Sequence, residues 1–86
     1  MNTYEITYRG ESHKFRAFKA TTDAKTAANA IEDIYSDFVP DDYFPQQDGS
    51  ILDSKGNIIR ERGEENIRYK GGEFFAIEVS PYTKIK

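Results

Sequence analysis

One segment of this 86-residue chain has helical periodicity, and segments that alternate with a period of two flank it on both sides. Thr22 or Asp23 is predicted to cap the helix, and Pro40 is predicted to end it by about Val39. Its first turns are rich in Ala and its second half carries larger side chains, a taper that suits packing across a twisted sheet. The apolar residues that recur at helical spacing are Ala24, Ala27, Ala28, Ile31, Ile34, Tyr35 and Phe38.

The segment before the helix predicts a pair of strands. Residues 3–8 alternate, with Tyr4, Ile6 and Tyr8 in one phase. A second strand is predicted from about residue 14 to 20, and Gly10 makes the link a plausible hairpin turn. The apolar residues of the second strand fall in both phases, so either both of its faces are partly covered or a bulge resets the register.

The segment after the helix predicts a loop and then more strands. Residues 37–50 hold two of the three prolines and predict a connecting loop. Two short apolar runs around Gly56 predict a hairpin, because glycine adopts the left-handed conformation that such a turn requires. Residues 60–72 are either a loop or an irregular strand. Residues 73–80 alternate, with Phe75, Ile77 and Val79 in one phase and Phe74, Ala76 and Glu78 in the other, and they predict a final strand.

These elements predict one α+β domain over residues 1–86. The order is β-β-α-β-β-β, and hairpin links favour a four- or five-stranded antiparallel sheet with one helix packed on one face. A helix of about 16 residues spans ~24 Å and covers only one face of such a sheet. We therefore expect the other face to be open to solvent or to a partner.

The composition argues against several kinds of site. The chain has no Cys, which excludes disulfides, thiolate metal sites and thiol catalysis. The only His, His13, follows Ser12 in a predicted hairpin, where neighbouring side chains point to opposite faces and do not pair as nucleophile and base. Asp41 and Asp42 could in principle act as acid and base, but adjacent Asp residues in a loop are typical of a solvated surface. We expect a non-enzymatic protein without cofactor or metal.

No run of apolar residues approaches the ~20 that a membrane span requires, and the first residues lack the pattern of a signal peptide. These features, together with the absence of Cys, predict a cytoplasmic protein.

The charge of the chain is unevenly distributed. Between residues 26 and 54 there are seven acidic residues and no Lys or Arg, so the rest of the chain sums to −3 − (−7) = +4. Several of these carboxylates interleave with aromatic rings, which combines negative charge with the bulky anchors that dominate protein interfaces, and such a surface would complement a basic groove built for nucleic acid. The alternative is a solvated loop whose rings pack into the core. The candidate partner-binding residues are Asp37, Asp41, Asp42, Tyr43, Phe44 and Asp48.

A second hypothesis places single-stranded nucleic acid on the open sheet face. Cations interleave with aromatic residues in the first hairpin, an arrangement that can stack bases. The acidic pI of about 5.1 argues against it, and those rings could equally form the core. The residues of this nucleic-acid hypothesis are Arg9, Lys14, Arg16, Lys19, Tyr4, Tyr8, Phe15 and Phe18. A small enzyme is the third possibility.

The run Phe-Lys-Ala-Thr-Thr-Asp-Ala-Lys-Thr-Ala-Ala-Asn-Ala at residues 18–30, a strand leading into an Ala-rich helix, resembles small proteins encoded by phages and mobile elements. Anti-CRISPR proteins are among these. The resemblance covers residues 3–36, rests on pattern and carries over no functional residue. It implies a small acidic binder that blocks a nucleic-acid-handling protein of a bacterial host.

Overall fold

The computed structural model describes residues 2–12 and 18–79. The chain forms seven strands, one α-helix and one 3₁₀ turn within these ranges. In order they are β1 (Asn2–Arg9), β2 (Lys19–Ala24), α1 (Ala27–Phe38), the 3₁₀ turn (Pro40–Asp42), β3 (Phe44–Pro45), β4 (Ile51–Leu52), β5 (Ile58–Arg60), β6 (Ile67–Tyr69) and β7 (Gly72–Val79).

The strands form two antiparallel sheets. The larger sheet has four strands in the order β2-β1-β7-β6, and the smaller has three in the order β3-β4-β5. β1 lies between β2 and β7, and its residue Ile6 is paired with Ala20 on one side and Ala76 on the other. The predicted α+β class, the antiparallel four-stranded sheet and the single helix packed against it are confirmed. The hairpin around Gly56 is also confirmed, but it belongs to the second sheet.

The core lies between α1 and the inner face of the four-stranded sheet. Alternation along β1 turns Tyr4, Ile6 and Tyr8 inward, where each is buried. The helix contributes residues at helical spacing, and the rings of Tyr35 and Phe74 meet edge to face with centroids 5.4 Å apart. The buried apolar residues are Tyr4, Ile6, Tyr8, Ala24, Ala30, Ile31, Ile34, Tyr35, Val39, Ile51, Ile59, Ile67 and Phe74.

The predicted boundaries around the helix start were wrong. β2 runs on to Ala24, which pairs with Asn2, so Thr22 and Asp23 belong to the strand and do not cap the helix. The cap is Thr26, whose side chain accepts a hydrogen bond from the Asn29 N–H at 3.1 Å. The predicted strand over 14–20 lies partly outside the described residues, and its described part begins β2. The helix ends at Phe38, as predicted. Within the described ranges, no helix is long and apolar enough to cross a membrane.

The structure shows which side chains of the last strand, β7, face the core. Phe74 is buried and Ala76 packs on the core, so this phase of β7 faces α1. Phe75, Ile77 and Val79 therefore lie on the opposite face. Residues 60–72 are mostly loop, with β6 as a short strand within them. The predicted loop over 37–50 includes the 3₁₀ turn and β3.

Candidate functional site

The residues proposed for partner binding lie in one stretch, residues 37–48, which we call the acidic segment. It begins in the last turn of α1, passes through the 3₁₀ turn and β3, and ends in the loop before β4. Asp37 and Asp41 are exposed, and neither forms an ion pair with any other described residue. Their charge is therefore directed to solvent.

Two other carboxylates of the acidic segment accept hydrogen bonds from neighbouring loops. One Asp42 Oδ atom accepts a hydrogen bond from the Ser54 N–H at 3.0 Å, and the Asp42 carbonyl accepts one from the Tyr35 hydroxyl at 3.1 Å. Asp48 accepts hydrogen bonds from the Ser50 hydroxyl and N–H at 2.6 and 2.9 Å. These bonds favour the ionised form and lower the pKa of Asp48. Both residues thus have a structural role through these hydrogen bonds.

The two rings of the acidic segment have different environments. Tyr43 packs on the core, and its hydroxyl donates a short hydrogen bond to a Glu32 carboxylate oxygen. Burial, followed by this hydrogen bond, raises the pKa of Tyr43 to about 12. Phe44 lies on β3, opposite Leu52, and its side chain is 48% exposed. The alternative that the rings of this loop pack into the core is thus correct for Tyr43, whereas the ring of Phe44 faces solvent.

Phe38 is a further exposed ring that was not among the proposed site residues. It is the last residue of α1, is 44% exposed, and contacts Phe18 with ring centroids 4.9 Å apart. Its helical spacing predicted a place in the apolar stripe of the helix, but its position at the helix end leaves part of the ring uncovered. We call Asp37, Phe38, Asp41 and Phe44 the acidic-aromatic surface.

Arg60 of β5 is a buried arginine that bonds to α1. Arg60 is 4% exposed, and its guanidinium donates to Glu32 Oε1 at 3.2 Å and to the carbonyls of Ala28 and Glu65 at 2.9 and 2.5 Å. Burial lowers the pKa of Arg60, and the charge of Glu32 opposes that shift. Because Glu32 also accepts from Tyr43, this cluster ties the three-stranded sheet and the acidic segment to α1. No sequence motif marks Arg60, which follows two isoleucines in a short strand.

A cleft of about 900 Å³ opens between the β4–β5 turn and the β6–β7 turn. Both cations and carboxylates line it, and two of the cations are already paired: Arg9 with Glu73 at 2.9 Å, and Arg68 with Glu64 outside the cleft at 3.0 Å. Asp53 accepts hydrogen bonds from the backbone of its own turn. Among the described residues, no group of three or more potential metal ligands occurs.

The aromatic residues of the nucleic-acid hypothesis are placed mainly inside the fold. Tyr4 and Tyr8 are buried, and Phe18 packs partly buried against the core, so Tyr4 and Tyr8 are not available to stack bases. On the open face, the Arg9 guanidinium lies 4.5 Å from the centre of the Phe75 ring. His13, Lys14, Phe15 and Arg16 lie outside the described residues.

Comparison of the chain with protein-family models, with curated proteins and with solved structures finds no match in any of the three.

Proposed function

We propose that this chain is a non-enzymatic protein-binding module that contacts a basic partner protein through its acidic-aromatic surface. The observation that carries the proposal is the arrangement of this surface. Two carboxylates without an ion pair among the described residues and two half-exposed rings occur between residues 37 and 44. Exposed rings flanked by charge match the composition of interfaces, in which aromatic anchors carry the binding energy and peripheral charges select the partner.

The charge of the surface indicates the kind of partner. No Lys or Arg occurs between residues 26 and 54, so the acidic residues of the segment have no cation close to them in sequence. A surface of this kind complements the basic grooves with which proteins bind the phosphate backbone. The partner in this proposal is a nucleic-acid-handling protein of a bacterial host, and the chain is a phage-type inhibitor in the manner of anti-CRISPR proteins. Its site of action would then be the host cytoplasm.

The carboxylates and the rings have different roles in this proposal. Asp37 and Asp41 steer the encounter, since rim charges chiefly change the association rate. Phe38 and Phe44 fill pockets on the partner and slow dissociation. Asp42, Tyr43 and Asp48 hold the backbone of the segment through the hydrogen bonds described above.

The test is capture from a bacterial lysate, with and without nuclease, followed by mass spectrometry. The test variant is Asp37→Lys/Asp41→Lys, which changes only exposed residues. The control is Asp33→Lys/Glu61→Lys, which reverses two exposed carboxylates outside the surface. Each variant changes the net charge from −3 to +1, so a difference between them reports position and not total charge.

We expect the wild type and the control variant to capture the same protein with and without nuclease. The test variant should not capture it. Equal capture by the two variants would contradict the proposed surface. Capture that nuclease abolishes would contradict the proposed partner class and favour nucleic-acid binding at the open sheet face.

A further inference from the structure

The outer face of the four-stranded sheet, which no described element covers, carries a row of apolar side chains. Phe75, Ile77 and Val79 point outward from β7, and the Ile77 side chain is 52% exposed. Thr3 and Thr7 lie beside them on β1. We call the residues on this side of β2, β1, β7 and β6 the outer face.

The charges of the outer face balance. Its three carboxylates and three cations sum to zero on a chain whose net charge is −3, so two outer faces do not repel each other as two acidic segments would. Four of the six residues form ion pairs on the face itself, Arg9 with Glu73 and Lys19 with Glu5. The six residues are Glu5, Arg9, Lys19, Asp23, Arg68 and Glu73.

The order of charges along β2 is complementary to itself in one orientation. Asp23 pairs with Thr3 and Lys19 pairs with Thr7, so the two charges lie four residues apart on the outer side of β2, a distance of ~13 Å. Consider two copies whose outer faces are stacked, related by a twofold axis that lies between the sheets, perpendicular to the strands and level with Thr21. The strands of the two copies then run in opposite directions, and Asp23 of each copy lies over Lys19 of the other.

We propose that the outer face binds a second copy of this chain in that orientation. Ile77 then meets Ile77 of the second copy on the axis, and Val79 meets Phe75, so the apolar row is covered from end to end. Each Glu5 approaches the axis already paired with its own Lys19 at 4.0 Å. Two sheets packed in this way lie about 10 Å apart with their side chains interdigitated.

The size of the face sets the expected strength. β1 and β7 have eight residues each, β2 has six and β6 has three, which at ~3.3 Å per residue and ~4.8 Å between strands gives a projected area of roughly 400 Å² per copy. Two copies together bury about 800 Å², which is below the ~1,200 to 2,000 Å² of stable interfaces and is typical of weak association. We therefore expect a monomer–dimer equilibrium that depends on concentration. This inference is independent of the proposed function, because it uses a different surface.

Sedimentation velocity over a concentration series up to ~1 mM measures the equilibrium. Ile77→Lys should raise the dissociation constant about tenfold or more, since it places two cations together in the apolar centre. Ile58→Lys is the matched control: Ile58 is 50% exposed but lies on β5 of the other sheet. A wild type that stays monomeric throughout, or equal effects of the two variants, would overturn the inference.

Charge exchange tests the orientation. Asp23→Lys and Lys19→Asp should each weaken self-association, because each places like charges opposite each other at both β2 contacts. An equimolar mixture of the two variants restores opposite charges at both contacts and should form a heterodimer more tightly than either variant self-associates. A mixture no tighter than its components would overturn the orientation. Asp37→Lys/Asp41→Lys should leave the dimer unchanged. Loss of the dimer in this variant would mean that the contact does not lie on the outer face.

Discussion

Asp37 lies in the last turn of α1, where the helix dipole disfavours a negative charge and where no basic residue balances it. The charge of Asp37 therefore does not stabilise the helix through its dipole. Asp42, only five positions further on, accepts a hydrogen bond from a backbone N–H of the β4–β5 turn. Composition predicted the acidic segment as a unit, but it did not distinguish these roles, because they depend on which donors the fold brings close.

Tyr43→Phe should cost about 1.5 kcal/mol of unfolding free energy at neutral pH, since it removes a hydrogen bond to a charged acceptor. The pKa of this phenol is raised to about 12 in the folded state, above its ordinary value of 10.0. The contribution is thus fully present below pH 10 and is lost as the pH rises toward 12. Urea denaturation of the two proteins across this range measures the difference. A difference that does not shrink at high pH would contradict the raised pKa of Tyr43.

The elements that the sequence predicted best are those whose signals repeat along the chain. The helical stripe of α1, the alternation of β1 and the glycine of the β4–β5 turn each needed only local information, and Gly56 does adopt a positive φ of 85°. The predicted start of the helix was wrong because Thr22, Asp23 and Thr26 are all residues that cap helices well. Pairing of β2 with β1 decides among them, and that pairing is a long-range contact.

The second sheet depends on Arg60, which links β5 to α1 through Glu32. Arg60→Leu should destabilise the fold by about 3 kcal/mol, because it leaves Glu32 and two carbonyls without their buried donor. In a double-mutant cycle with Glu32→Leu, we expect a coupling of about 1 to 2 kcal/mol. The exposed pair Arg68–Glu64 is the control, and its coupling should be below about 0.5 kcal/mol. Equal coupling in the two pairs would mean that Arg60 does not link the two elements.

At the scale of the whole molecule, the unbalanced negative charge and the apolar row lie on different surfaces. The acidic-aromatic surface lies at the end of α1 and on the three-stranded sheet, while the charge-balanced apolar row lies on the outer face of the four-stranded sheet. The sequence predicted an acidic segment and an open sheet face. It did not predict that Phe75, Ile77 and Val79 would be the outward phase of β7, since both phases of that strand are largely apolar and only packing against α1 selects one.

The most direct test of the central claim measures binding kinetics between this chain and its immobilised captured partner at low and at physiological salt. Screening over ~8 Å should slow association of the wild type as salt rises. Asp37→Lys/Asp41→Lys should slow association about tenfold or more at low salt, and Asp33→Lys/Glu61→Lys should change it much less. Phe44→Ala should speed dissociation while costing less than about 1 kcal/mol of stability, because its ring is 48% exposed. Wild-type kinetics for Asp37→Lys/Asp41→Lys at low salt would contradict the proposal that this surface binds the partner.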